Sequence, residues 1–164
     1  MSKFGGFITI CLFVMMIFLS FLTNDKKDNV TELNTKETIY RNNYRLDYIN
    51  EKGIVTMNHT KRYSTMIQVR DKDGHAIEEY YYNTKGEPVM CSSGYYGVQR
   101  IYQNGVCIEY KFVDQDKNKM QIKAGYSTVK QVYNNKNQVV EVYYYDKEDN
   151  QIALSLGQYG EQRK

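Results

Sequence analysis

Three glutamates recur at equivalent places along this chain of 164 residues, and their spacing could support binding chemistry. Each of Glu78, Glu109 and Glu141 follows an aliphatic residue, while Tyr80 and Tyr143 stand two positions after the first and the last. Carboxylates accept hydrogen bonds or bind cations, and tyrosine rings stack on sugars or peptides. We therefore take these five side chains as the candidate ligand-binding set. A solvated outer strand face, where charge discourages aggregation, explains the glutamates equally well.

Metal and nucleophile chemistry have little support in the sequence. One glutamate per repeat offers too few oxygens for calcium, and the run from Asp71 to Gly74 lacks the twelve-residue ligand series. Zinc would need more ligands than two separate histidines and two cysteines supply. Cys91 and His75 could form a nucleophile and its base, but only one unit carries the pair and nothing provides an oxyanion site. We expect no catalysis, no metal and no cofactor.

Cys91 and Cys107 are the only cysteines after the N-terminal apolar segment, and two interpretations of them stay open. They lie on either side of a predicted turn, so a disulfide could form outside the cell. Alternatively, both are small buried hydrophobic side chains, as free cysteines usually are. Cys107 aligns with Ala76 and Val139 in the neighbouring units, which favours burial.

The composition favours β structure and argues against a nucleic-acid partner. The chain has 17 tyrosines, no tryptophan and one proline, and tyrosine is enriched in strands. Its 22 basic residues are interspersed with 19 acidic ones, for a net charge of +3. Nucleic-acid binders usually concentrate their basic residues in a patch, and no such patch is visible here.

Residues 4–22 predict a transmembrane helix, preceded by a short tail at residues 1–3. The segment carries no charged side chain, and nineteen helical residues span roughly 28 Å, about the hydrocarbon thickness of a bilayer. A cleaved signal peptide is the alternative, but the bulky Phe21 and Leu22 stand where a cleavage site needs small residues. A lipoprotein signal would need a small residue before Cys11, and Ile10 stands there. We expect an uncleaved anchor in the lipid bilayer.

Residues 23–39 predict a polar tether between this helix and the rest of the chain. The segment mixes charges and has few large apolar side chains, so it cannot bury enough surface to offset the entropy of ordering. Positive charges flank the apolar segment on both sides, at Lys3 and at Lys26 and Lys27. Charge alone therefore leaves the orientation in the membrane open.

The remainder, residues 40–164, predicts a domain of repeats with a period of about 32 residues. The full units are 62–93, 94–124 and 125–156, with a half unit at 44–61 and a partial unit at 157–164. Hairpin turns are predicted at Asp71–Gly74, Asn104–Gly105 and Asn134–Asn137, and a second set of turns at Asn83–Gly86, Asp114–Lys117 and Asp146–Asp149. Asn, Asp and Gly tolerate the left-handed backbone that such turns require. We predict a mostly β fold of antiparallel hairpin repeats, as an open sheet or a solenoid, behind one helix.

Alternation along each long strand predicts which side chains share a face. One face carries Tyr81, Phe112 and Tyr144, which we expect to be buried at equivalent positions. Glu79 is the polar exception on that side. The opposite face carries the recurrent glutamates and the two candidate tyrosines, and we expect it to point outward.

These units resemble the tyrosine-rich tandem repeats of bacterial surface proteins, of the YD or Rhs-like type. The matching features are the Asp/Asn/Gly turns, strands that end in tyrosines, and the glycine-tyrosine restarts at Gly94-Tyr95 and Gly125-Tyr126. A weaker similarity links the run Tyr80–Gly86 to cell-wall-binding and choline-binding repeats, which are shorter and contain tryptophan. The resemblance covers about residues 44–159. It implies a bacterial, non-enzymatic protein with a cytoplasmic N-terminus and extracytoplasmic repeats.

Two functions fit these features. The first is adhesion or binding to a cell-surface polymer, such as a cell-wall glycan, or to a surface protein. The second is a structural or accessory membrane protein whose repeats act as a spacer or an assembly surface. Exposed aromatic residues on one face would favour the first function, and enclosed tyrosines would favour the second.

Overall fold

The structure is a computed structural model that describes residues 33–152. Within these residues nine strands form one sheet in sequence order, and every neighbouring pair is antiparallel. The strands are β1 Asn34–Tyr40, β2 Asn43–Ile49, β3 Thr65–Arg70, β4 Ala76–Tyr82, β5 Gly97–Gln103, β6 Val106–Val113, β7 Thr128–Tyr133, β8 Val139–Tyr145 and β9 Gln151–Ile152.

The predicted β fold is confirmed in the form of a single open antiparallel sheet. Strands β3–β4, β5–β6 and β7–β8 are the hairpins of the three full repeat units. The described residues contain no helix long and apolar enough to cross a membrane. The transmembrane helix predicted at residues 4–22 and the partial unit at 157–164 lie outside the described residues.

The first strand corrects the predicted extent of the tether. β1, Asn34–Tyr40, lies largely within residues 23–39 and pairs with β2 along its whole length, from Asn34 opposite Ile49 to Tyr40 opposite Asn43. All seven residues of β1 are exposed. β1 is therefore held by backbone hydrogen bonds to β2 and not by apolar burial. The prediction of a tether considered apolar burial alone.

The three hairpins share one irregularity next to their turns. The register shifts between Val69 and Arg70, between Ile101 and Tyr102, and between Val132 and Tyr133. Such β-bulges increase the local twist of a strand. The three predicted hairpin turns are confirmed, and the one at Asn104–Gly105 has φ values of 52° and 77° at its two residues. Two successive left-handed residues are typical of a type I′ hairpin.

A side-chain hydrogen-bond pattern repeats in the longer turns and explains their sequences. An Asn or Asp side-chain oxygen accepts the N–H groups of the residues two and four positions later, at Asn50, Asp71, Asn83, Asp114, Asn134 and Asp146. The third residue after each of these has a positive φ. The second set of predicted turns is confirmed as part of this series.

The inner face of the sheet carries a continuous ladder of aromatic rings. Ring centroids of successive members lie 4.7–5.9 Å apart. The members are Tyr48, Tyr63, Tyr81, Tyr95, Phe112, Tyr126 and Tyr144. Tyr81 is buried, with 3% of its surface exposed, while Phe112 and Tyr144 occupy the equivalent places and are half-buried against a buried cluster. The face predicted to point inward is thus the face that forms the core.

The connections between hairpins complete this core. One buried cluster contains Tyr63, Tyr81 and Cys91, and a second contains Ile122 and Tyr126 with two valines of β7 and β8. Tyr95 packs against both clusters. The residues that follow β2, β4 and β6 therefore cover the inner face and leave the other face of the sheet as the candidate contact surface.

Candidate binding surface on the outer strand face

The three recurrent glutamates occupy the same position in their hairpins. In each hairpin the glutamate pairs across the strands with an aliphatic residue. The pairs are Val69 with Glu78, Ile101 with Glu109, and Val132 with Glu141. Alternation places these pairs on the face opposite the aromatic ladder, which we call the outer face. The sheet therefore brings the predicted carboxylates to one side of the molecule.

The carboxylates of the outer face differ in their partners. Glu109 accepts from the Lys111 ammonium at 2.9 Å and lies 3.6 Å from the Lys130 ammonium. Glu78 accepts a hydrogen bond of 3.0 Å from the Tyr80 hydroxyl through one oxygen, and Glu141 accepts one from Tyr143. Since a carboxylate has about four acceptor positions, Glu78 and Glu141 keep capacity for an external donor, whereas the Glu109 side chain is only 13% exposed beside its two lysines. Lys111 and Lys130 are neighbours that sequence reasoning did not include in the site.

Tyr80 is buried, so its ring is not available to stack on a ligand. Only 6% of its surface is exposed. It pairs across the strands with Gly97, whose missing side chain leaves room for the ring, and the Lys117 ammonium lies 4.4 Å from the ring centroid. Burial raises the pKa of the Tyr80 hydroxyl to about 12. A ligand ring cannot reach a phenol ring covered in this way.

Tyr143 remains accessible in part. Its residue is half-buried on the outer face and stands opposite Lys130. The hydrogen bond to Glu141 raises the pKa of its hydroxyl, because ionisation would break the bond and place two negative charges together. Tyr145, on the same face, lies under the Lys130 ammonium at 4.8 Å. The last hairpin thus presents two half-buried tyrosines on the outer face.

The polar exception on the inner face is an internal ion pair. Glu79 accepts hydrogen bonds from Arg100 at 3.2 Å, from Gln68 at 2.9 Å and from the Tyr81 hydroxyl. Glu79 is 8% exposed. The pair links β4 to β5, so it joins two repeat units and explains how a carboxylate is tolerated on an apolar face.

The cysteines match the interpretation as buried hydrophobic side chains. Cys91 and Cys107 are both buried thiols, with 4% and 3% of their surfaces exposed. Burial raises the pKa of the Cys91 thiol, which disfavours the nucleophilic thiolate. The ring of His75 stacks on Tyr102 at 4.6 Å, and its Nδ1 lies 2.9 Å from an oxygen of Asp71.

One group of potential metal ligands occurs among the described residues, at the first hairpin turn. Donor atoms of Asp71, Asp73 and His75 lie within 4.8 Å of one another. One oxygen of Asp71 accepts the N–H groups of Asp73 and His75, and the other contacts the His75 ring. These hydrogen bonds belong to the turn itself, and they explain why the three side chains lie close together.

The fold and the outer face define the class of this protein as a single-layer antiparallel β-repeat protein, with one face covered by the connections between hairpins and the other carrying the recurrent aliphatic–glutamate pairs. No protein-family model, curated protein or solved structure matches the chain. The resemblance to bacterial surface repeats stays a prediction.

Proposed function

We propose that the protein is a membrane-anchored, extracytoplasmic β-repeat module whose outer face binds a cell-surface polymer or a surface protein. The observation that carries this proposal is the threefold recurrence of an aliphatic residue beside a glutamate on the outer face. Burial in the core explains why side chains recur on the opposite face. Core packing does not require that the aliphatic–glutamate pairs of the outer face recur as well.

The spacing of the pairs favours a ligand that itself repeats. Successive units are two strands apart, which corresponds to about 9–10 Å across the sheet. A polymer lying across the strands would meet the same contact in each unit, and linked weak contacts reinforce one another through effective concentration. The length of a β-linked disaccharide is comparable with this distance, so a glycan is the ligand class that we favour.

The contact chemistry in this proposal combines hydrogen bonding with apolar packing. The free oxygens of Glu78 and Glu141 would accept hydrogen bonds from sugar hydroxyls or amide groups. Ile101 and Val132 are 45% and 42% exposed beside their glutamates and would pack on the apolar side of a sugar ring or peptide. Tyr143 is the ring of the predicted set that would stack.

A spacer or assembly role is the second candidate, and the enclosed tyrosines favour it. Six tyrosines belong to the aromatic ladder of the core, and Tyr80 is covered on the outer face. If binding required aromatic side chains, few of them would be accessible to a ligand. The two functions differ in whether charge on the outer face is needed.

The test compares two variants of the full chain purified in neutral detergent. Glu78→Gln with Glu141→Gln neutralises the outer face, and Glu51→Gln with Glu148→Gln removes the same charge from exposed turns. We expect the first variant to lose retention on insoluble peptidoglycan and on surface glycans, because neutral amides are weaker acceptors than carboxylates. The second variant should be retained like the parent. Equal retention of both variants, or no retention of the parent, would favour the spacer function.

The membrane part of the proposal has its own test. Lys61 and Lys85 lie in exposed turns, so a protease added to wall-stripped cells should cut there if the repeats are outside. Intact-mass measurement of the membrane fraction should give a chain that retains residues 4–22. A mature chain that starts after Thr23 would contradict the anchor, and protection of both lysines would contradict the orientation.

A further inference from the structure

An open groove separates the connection that follows β2 from the connection that follows β4. Its volume is about 580 Å³. Met57, His59 and Arg62 line it from the first connection, and Val89 and Met90 line it from the second. A hydrogen bond of 2.9 Å from the Ser92 N–H to the Lys61 carbonyl joins the two connections. The groove is formed by connections and is separate from the outer face.

The turn that borders this groove differs from its two counterparts in length and charge. In it, the Asn58 N–H donates to the carbonyl of Tyr63, five residues later, whereas the turns at 91–95 and 122–126 close over four residues. The longer turn reads His-Thr-Lys-Arg between its ends, while the shorter ones read Ser-Ser-Gly and Lys-Ala-Gly. The first turn therefore carries two positive charges, Lys61 and Arg62, whereas the second carries none and the third carries one, Lys123.

Arg62 occupies a backbone position that the other units give to glycine. Its φ is 67°, and the residues at the same place before the next two tyrosines, Gly94 and Gly125, have φ values of 89° and 91°. A left-handed backbone is sterically unfavourable for a residue other than glycine. No hydrogen bond or ion pair joins the Arg62 guanidinium to another described residue. Arg62 thus occupies a strained backbone position, and its charge has no partner among the described residues.

We propose that this groove binds a short extended peptide that carries a carboxylate between apolar side chains. The guanidinium of Arg62 pairs with the carboxylate through two parallel hydrogen bonds, a geometry that arginine provides and lysine does not. Met57, Val89 and Met90 contact the flanking apolar side chains, and methionine adapts well to varied shapes. The volume lies within the range of pockets that hold small ligands. The concave shape fits a peptide better than the flat surface of a membrane.

The test uses two peptides that differ only in charge. Acetyl-Leu-Glu-Leu-amide carries one carboxylate, and acetyl-Leu-Gln-Leu-amide has the same shape without it. Binding to the full chain in neutral detergent is measured by saturation-transfer NMR over a peptide titration. We expect the glutamate peptide to bind roughly tenfold tighter or better, the effect of one charge-assisted hydrogen-bonded pair. Equal binding of the two peptides, or no binding of either, overturns the proposal.

Variants separate a binding role of Arg62 from a structural role. Arg62→Gly removes the charge and relieves the backbone, so the melting temperature should stay equal or rise while the glutamate peptide loses roughly tenfold in affinity. Asn137→Gly is the matched control, because it relieves a positive φ of 57° in a turn that does not line the groove. It should leave peptide binding unchanged. Unchanged binding in Arg62→Gly overturns the proposal. Displacement of the glutamate peptide by short-chain phosphatidylserine at a lower concentration than by free peptide would assign the groove to a lipid headgroup and overturn it too.

Discussion

Gly97 shows how one small residue determines which side chain of the outer face is covered. A Cβ atom at Gly97 would lie 2.4 Å from the Tyr80 ring and 2.6 Å from the carbonyl oxygen of Glu79. Both distances are far below normal van der Waals contact, and the carbonyl belongs to a paired strand that cannot move aside. The absence of a side chain at Gly97 is therefore what allows Tyr80 to lie flat on the sheet.

We predict that Gly97→Ala lowers the free energy of unfolding by about 1–3 kcal/mol, the usual cost of forcing extra volume into a packed site. Denaturant unfolding of the full chain, followed by circular dichroism, measures the change. Gln103→Ala is the control, because Gln103 is exposed at the end of the same strand. Similar midpoints for the two variants would mean that Tyr80 moves away from Gly97 at little cost and is available for binding after all.

At the scale of elements, the sequence predicted the parts that depend on local rules. The turns followed from Asn, Asp and Gly spacing, and the faces of the long strands followed from alternation. Tyr80 could not be assigned correctly in this way, because its cover comes from Gly97 and Lys117, which lie on other elements. The sequence did not predict β1, because this strand is held by backbone hydrogen bonds to β2 and amino-acid composition contains no information on backbone pairing.

The repeated turns also contribute to the pH dependence of the fold. A hydrogen bond from the Asn150 side chain, at 3.0 Å, lowers the pKa of the Asp146 carboxyl, and the N–H groups of Glu148 and Asn150 add to the effect. A carboxyl whose pKa is lower in the folded state stabilises the fold above its unfolded pKa of about 3.9. This contribution is lost as the pH falls through the folded pKa.

We predict that Asp146→Asn reduces the acid sensitivity of the protein without disrupting the turn. Asn134 accepts the same pair of backbone N–H groups in its own turn, and its side-chain amide donates to Gln138 instead of accepting, so asparagine fits this geometry. The fall in melting temperature between pH 5 and pH 2.5 should be smaller in the variant than in the parent. An unchanged fall would show that Asp146 does not bind protons differently in the folded and unfolded states. The parent keeps further carboxyls with lowered pKa, at Asp47, Asp71 and Asp149, so a residual fall is expected.

At the scale of the whole described region, the strands follow one another across the sheet in the order of the sequence. Each strand pairs only with its neighbours in sequence, so the stability of the sheet is close to a sum over units and the interfaces between them. The aromatic ladder is the side-chain part of those interfaces. Its members alternate between strands and connections, and each ring contacts the next across a unit or between units.

Tyr95 is the member of the ladder on which the coupling of units should depend most. It packs against both buried clusters, with ring centroids 5.9 Å from Tyr81 and 4.8 Å from Phe112. Burial raises the pKa of its hydroxyl to about 12, which agrees with a half-buried ring packed against both clusters. Removing this ring would leave a gap between the first and the later units, while the backbone pairs of β4 with β5 would remain.

We predict that Tyr95→Ala costs about 2–3 kcal/mol of stability, at or below the lower end of the usual range for truncating a fully buried aromatic ring, because Tyr95 is half-buried between the two clusters. It should also make unfolding stepwise, because the two clusters would then lose their shared contact. Hydrogen exchange resolved by strand tests this directly: the amides of β3–β4 and of β7–β8 should open with different free energies in the variant and with closer values in the parent. Tyr143→Ala, which removes a half-buried ring from the outer face, should leave the exchange pattern unchanged. If Tyr95→Ala lowers both halves equally, the units are coupled through the strand backbone, and the ladder only adds stability within each cluster.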